Sequence, residues 1–245
     1  GTFVLGSKAI AVNNLAPTLS MSGNASSNEG ATYVLAIAAS DAAGDADPLS
    51  YSIDWGDGSA AQVLTAAQLQ ALGGNVTHVF ADDEDGAINS TPRTVTVTVT
   101  DGDGGETVET LTVNVLNVAP TAALGGADAV DEAATYVLTV GAVSDPGADS
   151  RTGYGIDWGD GQSSMFTPAQ WAAANGSFSH TYADGGATPT IVVSATDEDG
   201  TFVLGSKAVT VNNVAPTLSV SGNANSNEGA TYVLAIAAGD AAGDA

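Results

Sequence analysis

Cysteine is absent from this 245-residue sequence, so the chain can form neither a disulfide framework nor a thiolate zinc site. Basic residues are scarce as well: four stand against 28 acidic ones, which leaves a formal net charge of −24. This charge repels nucleic-acid phosphate and anionic lipid, so we expect neither as a partner. No apolar run approaches the roughly 18 residues that cross a bilayer, and we expect no membrane insertion in this segment.

The many carboxylates need counter-ions, because four basic side chains cannot pair with them all. One source is a divalent cation held in specific sites, and Ca²⁺ is the cation that carboxylate oxygens suit best. The other is a salty medium that screens a solvated acidic surface. We expect bound Ca²⁺ and keep the halophilic surface as the alternative.

The strongest feature that the sequence does contain is internal repetition. Residues 1–46 recur as residues 200–245, with 40 of 46 positions identical. A shorter repeat is nested inside this one, marked by an Asn-Leu/Val-Ala-Pro-Thr linker at residues 14–18, 117–121 and 213–217. The spacing predicts an alternating array of A-type and B-type units, each the size of one ordinary domain.

We therefore expect the chain to be an excerpt from a longer array. The predicted parts are the last strand of a partial B-type repeat (1–14), an A-type domain (17–117), a B-type domain (120–213) and the first strands of a partial A-type repeat (216–245). The two partial units cannot complete each other, because together they lack most strands of a unit. Neighbouring repeats are the expected partners, and contact between identical chains, in a fibre or by strand exchange, stays open.

The local sequence pattern predicts β-structure throughout. Residues 94–100 and 106–116 alternate β-branched and polar side chains, as in a strand with one buried face. Residues 31–38 and 49–55 read as two more strands, and turns rich in Gly and Asp separate them. This pattern predicts an all-β fold, with an antiparallel Ig-like sandwich in each unit of an elongated array.

One helical interruption is visible in each unit. Residues 65–72 and 167–174 are rich in Ala and Gln, and each segment begins with a Thr suited to the N-cap. Pro168 stands at the first helical position, where its fixed φ is compatible with a helix. We expect one short helix in each sandwich.

Three landmarks recur in the same order in both complete units, and together they resemble the polycystic kidney disease (PKD) domain. They are an Asp-Trp-Gly-Asp-Gly turn (54–58 and 157–161), a His shortly before a strand aromatic (His78 and His180), and a Thr-Asp pair (100–101 and 196–197). The resemblance implies tandem Ig-like, cadherin-like repeats, as in large bacterial or archaeal surface proteins and adhesins. The helical segment between the turn and the His is longer than the family usually carries.

These landmarks have a structural interpretation. The Asp-Gly turns suit tight hairpins in which Gly takes positive φ, and Trp55 and Trp158 can pack against the facing sheet. A lone His repeated at the same position is more often a packed, hydrogen-bonded residue than a ligand. We expect this role for His78 and His180.

Acidic loops at matching places in the two units are the candidate metal ligands. Calcium-binding PKD domains use a linker Asn, an acidic loop and the Asp after the penultimate strand. The resemblance therefore implies two ligand sets: Asn14, Asp41, Asp45 and Asp101 in the A-type unit, and Asn117, Asp145, Asp149 and Asp197 in the B-type unit. Asp103 and Asp199 lie in the same acidic turns as Asp101 and Asp197 and are further candidate ligands.

A second grouping is also open. Glu29 and Glu132 precede a strand, much as in cadherin-like repeats, where a Glu, an Asp-x-Asp and a linker Asn rigidify the junction. In either grouping the ion lies near a joint between repeats. The alternative to both is that these Asp and Gly residues only form turns.

No catalytic constellation is present, since the sequence has neither a Gly-x-Ser-x-Gly elbow nor a His-Glu-x-x-His motif. We do not expect an enzyme. We expect a spacer segment of a long, repetitive exported adhesin or fibre at the cell surface, rigidified by Ca²⁺ at or near the joints. The alternative is an accessory PKD module that binds polysaccharide or protein beside a secreted catalytic domain.

Overall fold

A computed structural model describes residues 7–42, 47–83 and 89–240 of the chain. Contacts within it define two compact units. Unit 1 comprises residues 1–118 and 146–148, and unit 2 comprises residues 119–145 and 149–245. In the part of the chain that is described, no helix is both long enough and apolar enough to cross a membrane.

Unit 1 is an Ig-like sandwich of a three-stranded and a five-stranded sheet. Its elements are β1 (Thr18–Gly23), β2 (Ser26–Asn28), β3 (Thr32–Ser40), β4 (Ser50–Asp54), β5 (Gln62–Thr65), α1 (Ala66–Ala71), β6 (Asn75–Val79), β7 (Ser90–Thr100) and β8 (Glu106–Leu116). The sheet orders are β1-β3-β6 and β2-β8-β7-β4-β5. Every pairing is antiparallel except that of β2 with β8.

Unit 2 repeats this plan. Its elements are β9 (Leu124–Gly125), β10 (Ala129–Asp131), β11 (Thr135–Val140), β12 (Gly153–Asp157), β13 (Ser163–Phe166), α2 (Pro168–Ala174), β14 (Ser177–Thr181), β15 (Thr190–Thr196), β16 (Thr201–Ala208) and β17 (Thr210–Asn212). The sheet orders are β14-β11-β9 and β13-β12-β15-β16, and β10 pairs in parallel with β17. A hairpin of β18 (Thr217–Gly222) and β19 (Leu234–Gly239) follows as a separate two-stranded sheet.

Strict alternation along the strands builds the core of each sandwich. In β7, Val95, Val97 and Val99 are fully buried, whereas the threonines between them are partly exposed. In β3, Tyr33 and Leu35 are buried in the same cluster. Successive side chains of a strand point to opposite faces, so this pattern turns one face of each sheet inward.

The helices form where their capping residues predict. Thr65 accepts a hydrogen bond from the N–H of Gln68, and the Gln68 side chain accepts one from the N–H of Thr65, which completes a capping box. Thr167 and Gln170 form the same box before α2. The prediction of an all-β fold with one short helix in each sandwich is confirmed.

The Asp-Trp-Gly-Asp-Gly turn is held by its own carboxylates. Asp54 accepts the N–H of Gly56 at 2.9 Å, and Asp57 accepts the N–H of Ser59 at 3.0 Å. Gly56 has φ +73° and packs directly on the Thr94 carbonyl of β7. A side chain at position 56 would clash with the Thr94 carbonyl. It would also strain the backbone, because positive φ disfavours residues that have a Cβ.

Each histidine connects this turn to the core. His78 stacks on Trp55 with ring centroids 4.5 Å apart, and its Nε2 donates to Asp57 Oδ2 at 2.6 Å. His180 stacks on Trp158 in the same way. The prediction that both histidines are packed and hydrogen-bonded is confirmed. Each His therefore fastens the Asp-Trp-Gly-Asp-Gly turn to the core.

Replacing Gly56 by Ala tests this packing, with Gly58→Ala as the matched control in the same turn. Both glycines have positive φ, but nothing lies within 4 Å of a Cβ built on Gly58. We expect Gly58→Ala to lower the free energy of unfolding by about 1–2 kcal/mol through backbone strain alone. Gly56→Ala must also displace β7, so a loss of about 2–5 kcal/mol is expected. Urea unfolding followed by Trp fluorescence measures both, and equal losses would contradict the packing argument.

Candidate metal centre

The candidate metal ligands of unit 1 lie in two separate groups, one at each end of β8. The upstream acidic cluster, beside the residues that lead into β1, consists of Asn14, Asp41, Asp47, Asp101 and Asp103. The downstream acidic cluster, beside the end of β8, consists of Glu29, Asp82 and Asp83. Since β8 has 11 residues at about 3.3 Å each, the two ends lie roughly 30 Å apart. One ion therefore cannot join Glu29 to Asp101.

Asp101 is the centre of the upstream acidic cluster. Its Oδ1 accepts the N–H groups of Asp103 at 3.0 Å and Gly105 at 2.6 Å, and its Oδ2 accepts the side-chain amide of Asn14 at 2.9 Å. The hydrogen bond from Asn14, and then those from Gly105 and Asp103, hold the pKa of Asp101 below its ordinary value although partial burial opposes this. The carboxylate is thus kept ionised by neutral donors.

The other members of this cluster line one open concavity. Asn14, Asp41, Asp47 and Asp103 surround a cavity of ≈ 440 Å³. Asp47, which the sequence analysis did not nominate, accepts the N–H of Gly102 at 2.6 Å and ties the acidic loop to the β7–β8 turn. Asp45 lies outside the described residues. The structure therefore brings together Asn14, Asp41, Asp101 and Asp103 at one end of the sandwich, as the first grouping predicts.

The downstream acidic cluster is tighter and more deeply buried. Each of Glu29, Asp82 and Asp83 offers a carboxylate oxygen, and these atoms lie within 4.8 Å of one another. Glu29 is 1% exposed and Asp83 is fully buried. Hard, closely spaced oxygen atoms are the ligands that Ca²⁺ prefers, so these three side chains could hold this cation.

Glu29 also fastens the end of the unit. Its Oε1 accepts the N–H of Val118, the second residue of the Asn-Val-Ala-Pro linker, at 2.6 Å. Its Oε2 accepts the N–H of Asp83 at 3.3 Å. The linker residue Asn117 belongs to the same unit, and its side-chain oxygen is buried. One buried carboxylate thus holds both the outgoing linker and the acidic segment after β6.

Asp82 and Asp83 are the functional candidates that the sequence analysis missed. They begin an acidic run directly after β6, and the cadherin-like comparison calls for an Asp pair near Glu29 without indicating which one. The sequence signal that could have identified Asp82 and Asp83 is the position of this acidic run, which follows the strand that contains His78. Only the fold shows that the end of β6 lies beside the start of β3, where Gly30 donates its N–H to the Phe80 carbonyl at 2.8 Å.

Unit 2 has an equivalent of the downstream acidic cluster, but with fewer carboxylates. Glu132 is 2% exposed, and its Oε1 accepts the N–H of Val214 at 2.7 Å, as Glu29 does for Val118. Within the described part of the chain, Glu132 Oε2 is buried with no hydrogen-bond partner. Asp184 follows Tyr182 as Asp82 follows Phe80, but Gly185 stands where unit 1 has Asp83. Unit 2 therefore offers fewer ligands at this end.

The predicted B-type ligands Asp145, Asp149, Asp197 and Asp199 all lie in unit 2, and Asn117 belongs to unit 1. Asp149, Asp197 and Asp199 are each no more than 9% exposed. Asp145 pairs with Arg151 at 2.9 Å, so an internal cation already neutralises one predicted ligand. The acidic loop also touches the β15–β16 turn, because Ser150 donates its N–H to Glu198.

Asp197 occupies the position of Asp101, but its pKa is shifted in the opposite direction. Its Oδ1 accepts the N–H groups of Asp199 and Gly200, whereas Oδ2 is buried and has no hydrogen-bond partner among the described residues. Burial raises the pKa of Asp197 more than these two bonds lower it, and the charges of Asp199 and Glu198 raise it further. Its ionised form is therefore less well compensated than that of Asp101.

The comparisons with known proteins add a fold-level likeness. No family model matches the chain, and no curated protein matches it. Among solved structures, the chain is similar to the "Tandem Ig repeats of Dlar" at 16% identity, covering 80% of this chain and 97% of that one, with a TM-score of 0.26. So low a score carries no functional argument. The class rests on the strand order itself: the chain consists of Ig-like all-β sandwich repeats.

Substituting Asn at the two equivalent Asp positions should change stability in opposite directions in metal-free buffer. Asp101 has a lowered pKa in the folded state, so its ionised form stabilises the fold above about pH 4 and this contribution is lost as the pH falls further. Asp197 has a raised pKa, so the unfolded chain loses its proton first and ionisation weakens the fold as the pH rises.

We therefore expect Asp101→Asn to lower, and Asp197→Asn to raise, the urea midpoint at pH 7 in EDTA. The Asp197 difference should shrink as the pH falls towards about pH 4, where its carboxyl group takes up a proton in both states. The Asp101 difference should persist to lower pH, because the pKa of Asp101 in the folded state lies below its ordinary value. Urea titrations at pH 7 and at a series of lower pH values measure this. Two changes of the same sign at pH 7 would show that the hydrogen bonds around these groups do not control their charge.

Proposed function

We propose that this chain is a spacer segment of a long, repetitive exported surface protein or extracellular fibre, built of PKD-type Ig-like repeats and rigidified by Ca²⁺ near the repeat ends. One observation carries the proposal: in both units a buried Glu holds the outgoing linker, through Val118 in unit 1 and Val214 in unit 2. A side chain that holds the linker suits a protein that serves as a long, stiff spacer.

Repetition supports the spacer role. With 40 of 46 positions identical between residues 1–46 and 200–245, this part of the repeat is a near-exact copy. A catalytic or ligand-specific protein gains little from copies of one surface, whereas a stalk gains length with each copy. The excess of carboxylates keeps such a stalk soluble and repels other acidic surfaces.

The downstream acidic cluster supports Ca²⁺. Burying several carboxylates together is costly unless opposite charge or hydrogen bonds compensate. Glu29, Asp82 and Asp83 converge within 4.8 Å in a chain with only four basic residues. Two of those four, Arg151 and Lys207, pair with Asp145 and Asp128 in unit 2. A divalent cation supplied by the medium outside the cell is the compensation that fits this ligand set.

The alternative of a polysaccharide-binding module has less support. Such modules present exposed aromatic side chains on which sugar rings stack. Among the described aromatic residues, only Tyr232 is exposed, at 48%. The tryptophans Trp55, Trp158 and Trp171 all pack against other rings. The aromatic side chains thus stabilise the sandwiches and leave no strip for a polymer.

Thermal unfolding of the 245-residue chain in EDTA and in millimolar Ca²⁺, at fixed ionic strength, tests the proposal. Ca²⁺ that binds only the folded state should raise the unfolding temperature, and a concentration 100-fold above Kd corresponds to about 2.7 kcal/mol. Glu29→Gln should remove most of the rise in unit 1, because the amide keeps the shape of the side chain but loses the charge that holds the ion.

Glu109→Gln is the matched control, since Glu109 lies on β8 of the same unit, is exposed, and carries the same charge. It should leave the Ca²⁺-dependent rise intact. Calorimetric titration should give stoichiometric binding that Mg²⁺ does not reproduce. If Ca²⁺, Mg²⁺ and NaCl raise the unfolding temperature equally, salt only screens carboxylates that lie in solvated turns. The spacer would then need no specific ion.

A further inference from the structure

The second strand of each unit lies beside the last strand of that unit and runs parallel to it. In unit 1, β2 pairs with residues 114–116 of β8. In unit 2, β10 pairs with β17. All other described strand pairs are antiparallel. The two parallel pairs therefore join the part of the chain that enters a unit to the part that leaves it.

Three hydrogen bonds hold this strand pair together in unit 1. The N–H of Asn114 donates to the Ala25 carbonyl at 3.0 Å. The N–H of Glu29 donates to the Leu116 carbonyl, also at 3.0 Å. Beyond the last strand, Glu29 Oε1 accepts the N–H of Val118 at 2.6 Å. The side chain of Glu29 thus extends the pairing by two residues, into the linker.

Unit 2 has the same three bonds at equivalent positions. The N–H of Thr210 donates to the Asp128 carbonyl at 2.9 Å. The N–H of Glu132 donates to the Asn212 carbonyl at 3.0 Å. Glu132 Oε1 accepts the N–H of Val214 at 2.7 Å. Both types of unit therefore close in the same way, with a short parallel strand pair and a carboxylate at its end.

The carboxylates that extend the strand pairs are shielded from water. Glu29 and Glu132 are almost fully buried, and each accepts a linker N–H. A charged acceptor forms the stronger class of hydrogen bond, and a local environment of low dielectric strengthens it further. Water cannot readily replace such a bond while the linker is being pulled.

Tension along the chain acts on the bonds of unit 1 in a particular direction. The Pro17 carbonyl, just before β1, accepts the hydroxyl of Thr107 near the start of β8, whereas Val118 follows the end of β8. Pulling on residues 16 and 119 therefore draws β2 and β8 in opposite directions along their length. In an antiparallel pair the two pulled ends would lie together, and the strands would peel apart one bond at a time.

In the parallel pair, tension loads the bonds between the two strands at the same time. The strands cannot slide until all of these bonds have broken. Forced unfolding is governed by the unfolding rate, so the number of bonds that break together determines how well a unit resists tension.

We propose that a tension clamp in each unit bears force along the chain. It consists of β2, residues 114–116 and Glu29 in unit 1, and of β10, β17 and Glu132 in unit 2. The proposal rests on the proposed spacer function for the source of the tension, since a stalk at a cell surface is pulled along its length. The clamp itself consists of hydrogen bonds and needs no Ca²⁺.

Single-molecule force spectroscopy of the 245-residue chain in EDTA tests this proposal. The chain has no natural cysteine, so DNA handles can be attached at two introduced ones. The lengthwise pair, Ala16→Cys/Ala119→Cys, pulls the two ends of unit 1 apart along β8. The opening pair, Ala31→Cys/Ala119→Cys, pulls on two positions beside the same end of the clamp. All three alanines are exposed.

At the same constant force, unit 1 should unfold more slowly with the lengthwise pair than with the opening pair. Three bonds break together in the first geometry and singly in the second, so the two additional bonds should slow unfolding about 30-fold. Equal rates in the two geometries, or faster unfolding with the lengthwise pair, would overturn the proposal.

Glu29→Gln tests the contribution of the buried carboxylate. The amide keeps the shape of the side chain, but a neutral acceptor forms a weaker bond with the N–H of Val118. The ratio of the opening rate to the lengthwise rate should therefore fall about fivefold. A change in general stability would alter both rates equally, so an unchanged ratio would overturn the role of Glu29 in the clamp.

Unit 2 allows the same test at equivalent positions, with each Gln variant as the control for the other. Its lengthwise pair is Ala119→Cys/Ala215→Cys, and its opening pair is Ala134→Cys/Ala215→Cys. With these pairs, Glu132→Gln should lower the ratio about fivefold and Glu29→Gln should leave it unchanged. If Glu132→Gln leaves the ratio of unit 2 unchanged, the buried Glu is not a common part of the clamp and the proposal is wrong.

Failure of the clamp is distinguishable from failure of the proposed function. The force measurements are made in EDTA, whereas the proposed function is tested by the rise in unfolding temperature that Ca²⁺ causes. A chain without that rise can still show the 30-fold difference between pulling directions. A chain that unfolds equally fast in both directions can still bind Ca²⁺.

Discussion

Twenty-eight carboxylates share this chain with four basic side chains, and most of the structure follows from how that imbalance is resolved. Carboxylates that cannot find a cation in the chain accept backbone N–H groups instead. Asp54, Asp57, Asp101 and Asp197 each close a turn in this way. Since a turn N–H is a donor that the strands do not use, the acidic residues gather where strands end. The turns at the ends of the sandwiches therefore carry the carboxylates that accept these N–H groups, whereas Glu109 on β8 is an exposed charge on a sheet face.

The buried glutamates also accept backbone N–H groups, in this case from the linkers. Glu29 and Glu132 lie at equivalent positions and hold equivalent linker N–H groups. In unit 1 two further carboxylates join Glu29, whereas unit 2 has Gly185 in place of one of them. The two units therefore offer different numbers of carboxylates beside the buried Glu.

Much of this could be read from the sequence, because the relevant signals are local. Alternation of Val and Thr in β7, the Thr-x-x-Gln capping boxes and the Asp-Gly turns depend on residues a few positions apart, and each was found where its pattern predicts. The family resemblance placed Asn14, Asp41 and Asp101 in one ligand set, and these residues lie at one end of unit 1 together with Asp103. That they bind Ca²⁺ stays a prediction. The proximity of Glu29 to Asp82 and Asp83 could not be found in this way, since it depends on β3 pairing with β6 across more than 40 residues. Tertiary structure alone decided that the pKa of Asp101 is lowered while that of its equivalent Asp197 is raised: Asn14 reaches Asp101, and Asp197 is buried without a partner for one oxygen among the described residues. Local pattern determines which residues form turns and strands, but the charge state and ligand set of a carboxylate depend on groups that only folding brings within a few ångströms.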